Sequence, residues 1–357
     1  MTALTGIRSR VDVMERIGEH PIITPDQVAP SNSALRVRGA FNPGAAVVGD
    51  EIVLLLRVAE AVVTGEGRVA VPVIQREGDV VVTDVLDVDL AAPNVEHQGN
   101  HTVVIDGIAR PTTMSHLRLA RSTDGLNFEI DEQPFLAAET AGEMFGVEDA
   151  RITPLGDRYL VTYTAASADG RAVGLLETFD FESFHRLGLV FPVDNGDVSI
   201  FPDRSGGLFR ALHRPTGSGP ASLWYAESPD LLHWGNHHCV LHPRRTQWQA
   251  AGIGGGAPSV LTDAGWLQLH HARSDQGCGS IWAVLLDYYD PTRVIARGTE
   301  PLLVAEMDYE LDGFTPGAMT VTGVVERNGE LFVYYGAADQ VTGLATTTTE
   351  AVLATLR

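Results

Sequence analysis

The stretch Glu148-Asp149-Ala150-Arg151 has the clearest capacity for chemistry in this chain. Two adjacent acids and a base stand among apolar residues, just ahead of Tyr159-Leu160-Val161-Thr162-Tyr163, which reads as a strand. Neighbours on a strand face opposite sides, so alternation puts Asp149 and Arg151 together and sends Glu148 the other way. A carboxyl with an arginine two residues on, at a strand entrance, suits a proton-donating acid with a cation beside it. The same pattern suits a surface ion pair at a turn. Other polar residues fall at comparable places: Asn42 ahead of a strand-like run, Arg57, His213, Arg214, His270 and His271 at the ends of such runs, and Arg171 and Asp339 just past them. Together they supply one acid, bases able to hold an anion, and amide and carboxylate groups that suit sugar hydroxyls. No P-loop, CxxC or HExxH pattern occurs, and nothing marks a nucleophilic serine. His97, His101 and His116 have a spacing open to a metal, but polar loop histidines explain them as well, and no metal is expected.

These residues need elements that carry them to one place. Runs rich in Val, Ile, Leu, Tyr and Phe recur, each bounded by Gly, Asp, Asn or Pro, which is the pattern of strands and turns. A tight turn followed by a hydrophobic strand appears five times: Gly49 to Arg57, Gly156 to Thr164, Gly206 to Arg214, Ala264 to His271 and Asn328 to Gly336. A second repeat relates Ser122-x-Asp124 with Phe128 to Ser228-x-Asp230 with Trp234. Multistranded repeats of about 50 residues predict a propeller, because one such sheet cannot bury both faces alone. Five copies predict five blades in an all-β fold, with inner strand ends converging on one funnel. No linker divides the chain, so residues 1–357 read as a single domain. It carries an N-terminal extension over about 1–30 and an inserted hairpin and loop over about 66–113. Within the extension, Arg8 to Ile17 reads as one short helix, and Pro21, Pro25 and Pro30 impose an extended path after it.

The chain has 46 acidic and 25 basic residues and a net charge of −21, which disfavours nucleic acid and anionic membranes as partners. Every one of those bases is arginine. Two cysteines, Cys239 and Cys278, are too few for a disulfide framework. The first twenty residues have scattered charges and no apolar core of a signal peptide, and no run reaches the length of a membrane span. A cytoplasmic protein is expected.

Taken in order, several motifs resemble glycoside hydrolase family 130, the β-mannoside phosphorylases and related β-mannosidases. They are Phe41-Asn42-Pro43 with Arg57, Ala120-Arg121-Ser122-x-Asp124-Gly125-x-x-Phe128, and Glu148-Asp149-Ala150-Arg151. His213-Arg214-Pro215, Ser228-Pro229-Asp230-Leu231 with Trp234, and Ile253-Gly254-x-Gly256-Ala257-Pro258 follow, then Gly265-Trp266-Leu267 and Tyr334-Tyr335-Gly336-Ala337-Ala338-Asp339. Each is weak alone; their order, over about Phe41 to Thr346, is specific. The family is a five-bladed propeller. The resemblance implies that Asp149 is the catalytic acid, that Asn42, Arg57 and Asp339 hold the mannosyl unit, and that Arg171 and His271 hold phosphate. Arg151 and His213 join them on the substrate side.

Two departures stand out. Glu-Asp-Pro-Arg in the family is Glu-Asp-Ala-Arg here, and a lysine commonly found ahead of Ile-Gly-x-Gly is Gly252. The resemblance implies an inverting enzyme with a β-linked mannoside as substrate and inorganic phosphate as co-substrate, without a further cofactor. A phosphorylase needs only the acid, whereas an inverting hydrolase also needs a base to activate water. Only Asp149 is nominated as an acid, and Arg171 with His271 could orient phosphate, which favours phosphorolysis to mannose 1-phosphate; the missing lysine pulls toward an inverting β-mannosidase, with Glu227 and Glu306 as stand-ins for its base. A propeller that binds a glycan without catalysis is the remaining alternative, and a homo-oligomer is compatible with all three.

Overall fold

Each turn-strand repeat becomes the second strand of an antiparallel unit: Glu51–Val62, Arg158–Ser167, Leu208–Pro215, Gly265–Arg273 and Glu330–Ala337. The computed structural model describes residues 13–77, 80–98, 102–217, 219–245 and 248–357. The first strands of the units are Leu35–Val48, Gly146–Leu155, Asn195–Ser205, Gly252–Gly254 and Met319–Arg327. The third are Met114–Ser122, Gly170–Thr178, Leu223–Ser228, Gly279–Leu286 and Val341–Thr347. Units one and two form one sheet, joined by a single parallel bridge between Ser115 and Gly146. Glycine is required there: φ is +113°, and a Cβ would stand 2.5 Å from the Ser115 carbonyl oxygen. Among the described residues the α-helices are short, Asp308–Leu311 and Thr349–Leu353. No helix of the described residues is long and apolar enough to cross a membrane.

The apolar runs are explained by burial on both faces. Val53 and Leu55 pack with Val147, Ile152 and Val161 of unit two. Their strand neighbours Leu54, Leu56 and Val58 pack with Val325, Tyr334 and Leu344 of unit five. The same alternation repeats around the molecule. Leu160 and Leu175 meet Val198 and Ile200; Leu212 and Tyr225 meet Trp266 and Trp282; Leu267 and Ile281 meet Val321 and Val333. Five clusters thus join the units in the cyclic order one to five and back to one. Each fully buried Leu, Ile or Val contributes about 1.5–3 kcal/mol to holding the sheets face to face.

Two expectations differ from the structure. The described part of the expected helix, residues 13–17, contains a strand, Glu15–Arg16, paired with Thr346 and Ala345. Tertiary contacts override local propensity here. Met14 is buried against Leu285 and Val333, and Arg16 donates to both Glu310 carboxylate oxygens and to the Val304 carbonyl. The rest of that helix lies outside the described residues. The inserted segment holds a hairpin, Arg68–Glu77 with Val80–Asp89. Where a loop was expected, Val95–Gln98, Thr102–Ile105 and Ile108–Pro111 form a three-stranded sheet. Val71 of the hairpin packs with Val103 and Ile105 of that sheet, which gives the insertion its own small core.

Candidate active site

Asn42, Asp149 and Asp197 hold equivalent places in the first strands of units one, two and three. Each has a left-handed backbone, with φ of 48°, 52° and 52°. Each lies in a break of strand register, between Phe41 and Gly44, Glu148 and Arg151, and Gly196 and Ser199. Asn and Asp tolerate this conformation better than other L-residues, and a bulge re-aims a side chain out of the alternating pattern. The local sequence therefore turns three polar groups out of the sheets.

The bulge overturns the expected facing of the acids. Arg57 holds both neighbours, donating through Nη1 to Asp149 at 3.0 Å and through Nη2 to Glu148 at 2.7 Å. Its Nε donates to Ser115 Oγ, and its guanidinium lies 4.7 Å from the Phe41 ring centre. Asn42 Nδ2 donates to the same Asp149 oxygen at 2.8 Å, while the buried Asn42 Oδ1 has no partner among the described residues. Arg151 reaches the Asp149 backbone carbonyl at 2.7 Å rather than its carboxylate. Burial works to raise the Asp149 carboxyl. Arg57, then Arg151, with the hydrogen bonds from Asn42 and Arg57, outweigh burial and hold the group below the usual carboxylate range. Burial likewise opposes the Arg57 charge, and Glu148, Asp149 and Asp339 more than restore it.

A second cluster centres on Asp197, which the sequence reading did not single out. Its carboxylate accepts from Arg151 Nη2 at 2.9 Å, from Arg214 Nε and from the Gly255 amide at 3.1 Å, with His271 Nε2 at 3.8 Å. Burial would raise Asp197, but Arg214, Arg151 and His271 press it far below the ordinary range. His271 is pushed down to about 4, chiefly by burial, with Arg214 and Arg151 adding to the effect against Asp197. It is neutral at pH 7. Asp149 lies within Coulombic reach of both Arg214 and His271, so the two clusters face one another.

The structure brings Asn42, Arg57, Asp149, Arg151, His271 and Asp339 into this region. Two nominees, His213 and Arg171, make none of the contacts that define these clusters. His213 is buried against Phe191, with Asn195 and His237 on its two ring nitrogens at 3.1 and 3.0 Å. Its strand neighbour Arg214 is the residue that reaches Asp197. Arg171 is exposed at a strand end, where its backbone amide donates to Asp194. Glu227 is bonded to Tyr225 and Asn236, and Glu306 to Arg16, so neither stand-in base is in the clusters. His101 lies outside the described residues, and His116 Nε2 accepts from Arg118. Among the described residues no group of three or more His, Cys, Asp or Glu is placed to hold a metal.

Gly252 has φ of +126°, and a Cβ there would stand 2.9 Å from the Ala221 amide nitrogen. The local backbone thus calls for glycine in place of the family's lysine. Gly252→Lys is expected to cost about 1–3 kcal/mol of stability without lowering the KM for phosphate. Thermal denaturation with phosphate kinetics checks this; a tighter phosphate KM at unchanged Tm would contradict it.

The family profile described as β-1,4-mannooligosaccharide phosphorylase matches residues 104–357. The chain is 36% identical over 331 residues to a β-1,2-mannobiose phosphorylase of Listeria innocua, covering 91% of this chain and 93% of that protein. It is 35% identical over 235 residues to a 1,2-β-oligomannan phosphorylase of a Thermoanaerobacter species, covering 65% of this chain and 78% of the other. A solved structure of the Listeria innocua β-1,2-mannobiose phosphorylase with β-1,2-mannobiose superposes with a TM-score of 0.90 at 35% identity, covering 96% of this chain and 98% of that one. These matches span most of the chain and agree with the motifs around Asp149; the protein is a member of glycoside hydrolase family 130.

Proposed function

We propose that this enzyme phosphorolyses short β-mannosides, with the β-1,2 linkage as its favoured class, on a single five-bladed propeller domain. The cyclic order of the five apolar clusters supports the propeller. Similarity over nearly full length to a β-1,2-mannobiose phosphorylase supports the linkage. The observation that carries the reaction is the meeting of two arginines and a histidine at Asp197, opposite the Asp149 carboxyl. A phosphate oxygen attacks the anomeric carbon as the glycosidic C–O bond breaks. The leaving oxygen takes the Asp149 proton, and mannose 1-phosphate forms with inverted configuration. Arg151, Arg214 and His271 orient the phosphate, Arg214 taking the place that the resemblance gives to Arg171. Asn42, Arg57 and Asp339 hold the mannosyl unit. Asp149 is ionised in the free site, and an incoming phosphate anion raises its affinity for the proton it must deliver.

Hydrolysis fits the site less well. Asp197, the acid nearest the arginines, is too weak a base to activate water while they hold it. A cytoplasmic location suits the reaction, since a charged sugar phosphate is retained by the cell. Incubation with β-1,2-mannobiose, with and without phosphate, is expected to give mannose 1-phosphate only when phosphate is present. Free mannose appearing at the same rate in phosphate-free buffer would make the enzyme a hydrolase.

A further inference from the structure

His270 and His271 are successive residues of the strand Gly265–Arg273, so their rings leave opposite faces. His271 belongs to the Asp197 cluster. His270 is buried, its Nδ1 donates to the His271 carbonyl at 3.4 Å, and the Arg297 and Arg244 guanidiniums bear on it electrostatically. Gln249 ties the two arginines together. Its Oε1 accepts from Arg297 Nη2 at 2.8 Å and from the Arg244 backbone amide at 2.8 Å. Arg244 Nη1 donates to the Gly298 carbonyl at 2.8 Å.

What remains is a surplus of donors and positive charge. Gln249 is fully buried, yet among the described residues its Nε2 and Arg297 Nε have no hydrogen-bond partner. Leaving buried donors unmade is costly. Arg297 is pushed down to about 10, first by burial and then by Arg244, with no acid among the causes. By contrast, the buried Arg151 is matched by Asp197 and the buried Arg210 by Asp203. Here the counter-charge is missing from the side chains that make the cluster.

We propose that Arg244, Gln249 and Arg297 form a second anion site that takes a phosphate-like oxyanion. Such a group accepts at every oxygen, so it can satisfy a planar arginine fork and an amide together. Both inorganic phosphate and the phosphoryl end of a sugar phosphate have this chemistry. The site is separate from the Asp149–Asp197 clusters and stands whether or not the proposed reaction is correct.

The test uses the whole protein freed of phosphate and sulfate. Crystals soaked in sodium selenate are expected to show an anomalous peak bonded to Arg297 and Gln249. In solution, Gln249→Glu places a carboxylate between the arginines and excludes the anion. Wild-type Tm is then expected to rise more with added phosphate than that of the variant, while the phosphate KM stays within about twofold. A folded-state ligand at about 100 times its Kd shifts the folding equilibrium by about 100-fold, which such a comparison resolves. Arg297→Gln serves if Gln249→Glu does not fold. Running the comparison with phosphate and with mannose 1-phosphate shows which ligand the site prefers. No selenate peak at this place overturns the proposal. A peak with equal Tm responses in wild type and variant means an adventitious ion only, and overturns it too.

Discussion

Asp149→Asn is expected to lower the rate on an unactivated β-mannoside by about 10²–10⁴-fold, the usual worth of a general acid, with the fold intact. Asparagine keeps the size of the side chain and tolerates the left-handed backbone at this position, where φ is 52°. Arg57 keeps a counter-charge, because Glu148 holds its other nitrogen at 2.7 Å. The lost property is the proton. A substrate whose leaving group departs as a stable anion, such as a dinitrophenyl β-mannoside, should therefore recover most of the rate. Steady-state kinetics on both substrates, with Tm as the control, decides the matter. An unchanged kcat on the unactivated mannoside would remove Asp149 from the proposed mechanism.

Asp197→Ala is expected to act first on stability. Arg151 is 1% exposed and shares this carboxylate with the half-buried Arg214, so the change leaves both guanidiniums without that counter-charge. Breaking a buried pair from one side costs about 3–5 kcal/mol. For a chain of this length that is a Tm lower by about 4–7 °C. Adding Arg151→Met should restore part of the loss, since it removes one of the stranded charges. Phosphate use should fall in both variants, because the arginines that orient the anion no longer have a fixed position. Unchanged Tm and phosphate KM in Asp197→Ala would mean that the cluster is incidental.

The strands were legible because they are buried on both faces. A sequence such as Ile52-Val53-Leu54-Leu55-Leu56 has to satisfy two neighbouring sheets and so reads as a continuous apolar run. The Asp149 cluster was legible through its order of motifs, but its geometry was not. Alternation assigned Glu148 and Asp149 to opposite sides, and a bulge between Glu148 and Arg151 brings both to Arg57. Asp197 was missed because Gly196-Asp197-Val198 has no charged neighbour to draw attention to it. Its position relative to the repeats was a usable signal. Asn42 and Asp149 each stand seven residues before the glycine that opens a repeat, and Asp197 stands nine before Gly206. The histidines were harder: His213 and His271 look alike in sequence, and only the sheet packing sends one toward Phe191 and the other toward Asp197.

The pairing of Glu15 and Arg16 with Thr346 and Ala345 has a practical consequence. Ile17 and Ile22 continue that contact by donating to the Leu344 and Thr342 carbonyls, so residues 15–22 cover the outer side of Val341–Thr347. That seven-residue strand would otherwise offer a row of bare amides and carbonyls, the kind of template that recruits a strand from another molecule. The Arg16–Glu310 ion pair fastens the cover in place. Trimming the chain into residues 14–22 would therefore do more than shorten it: it would turn a sealed margin into a seed for self-association.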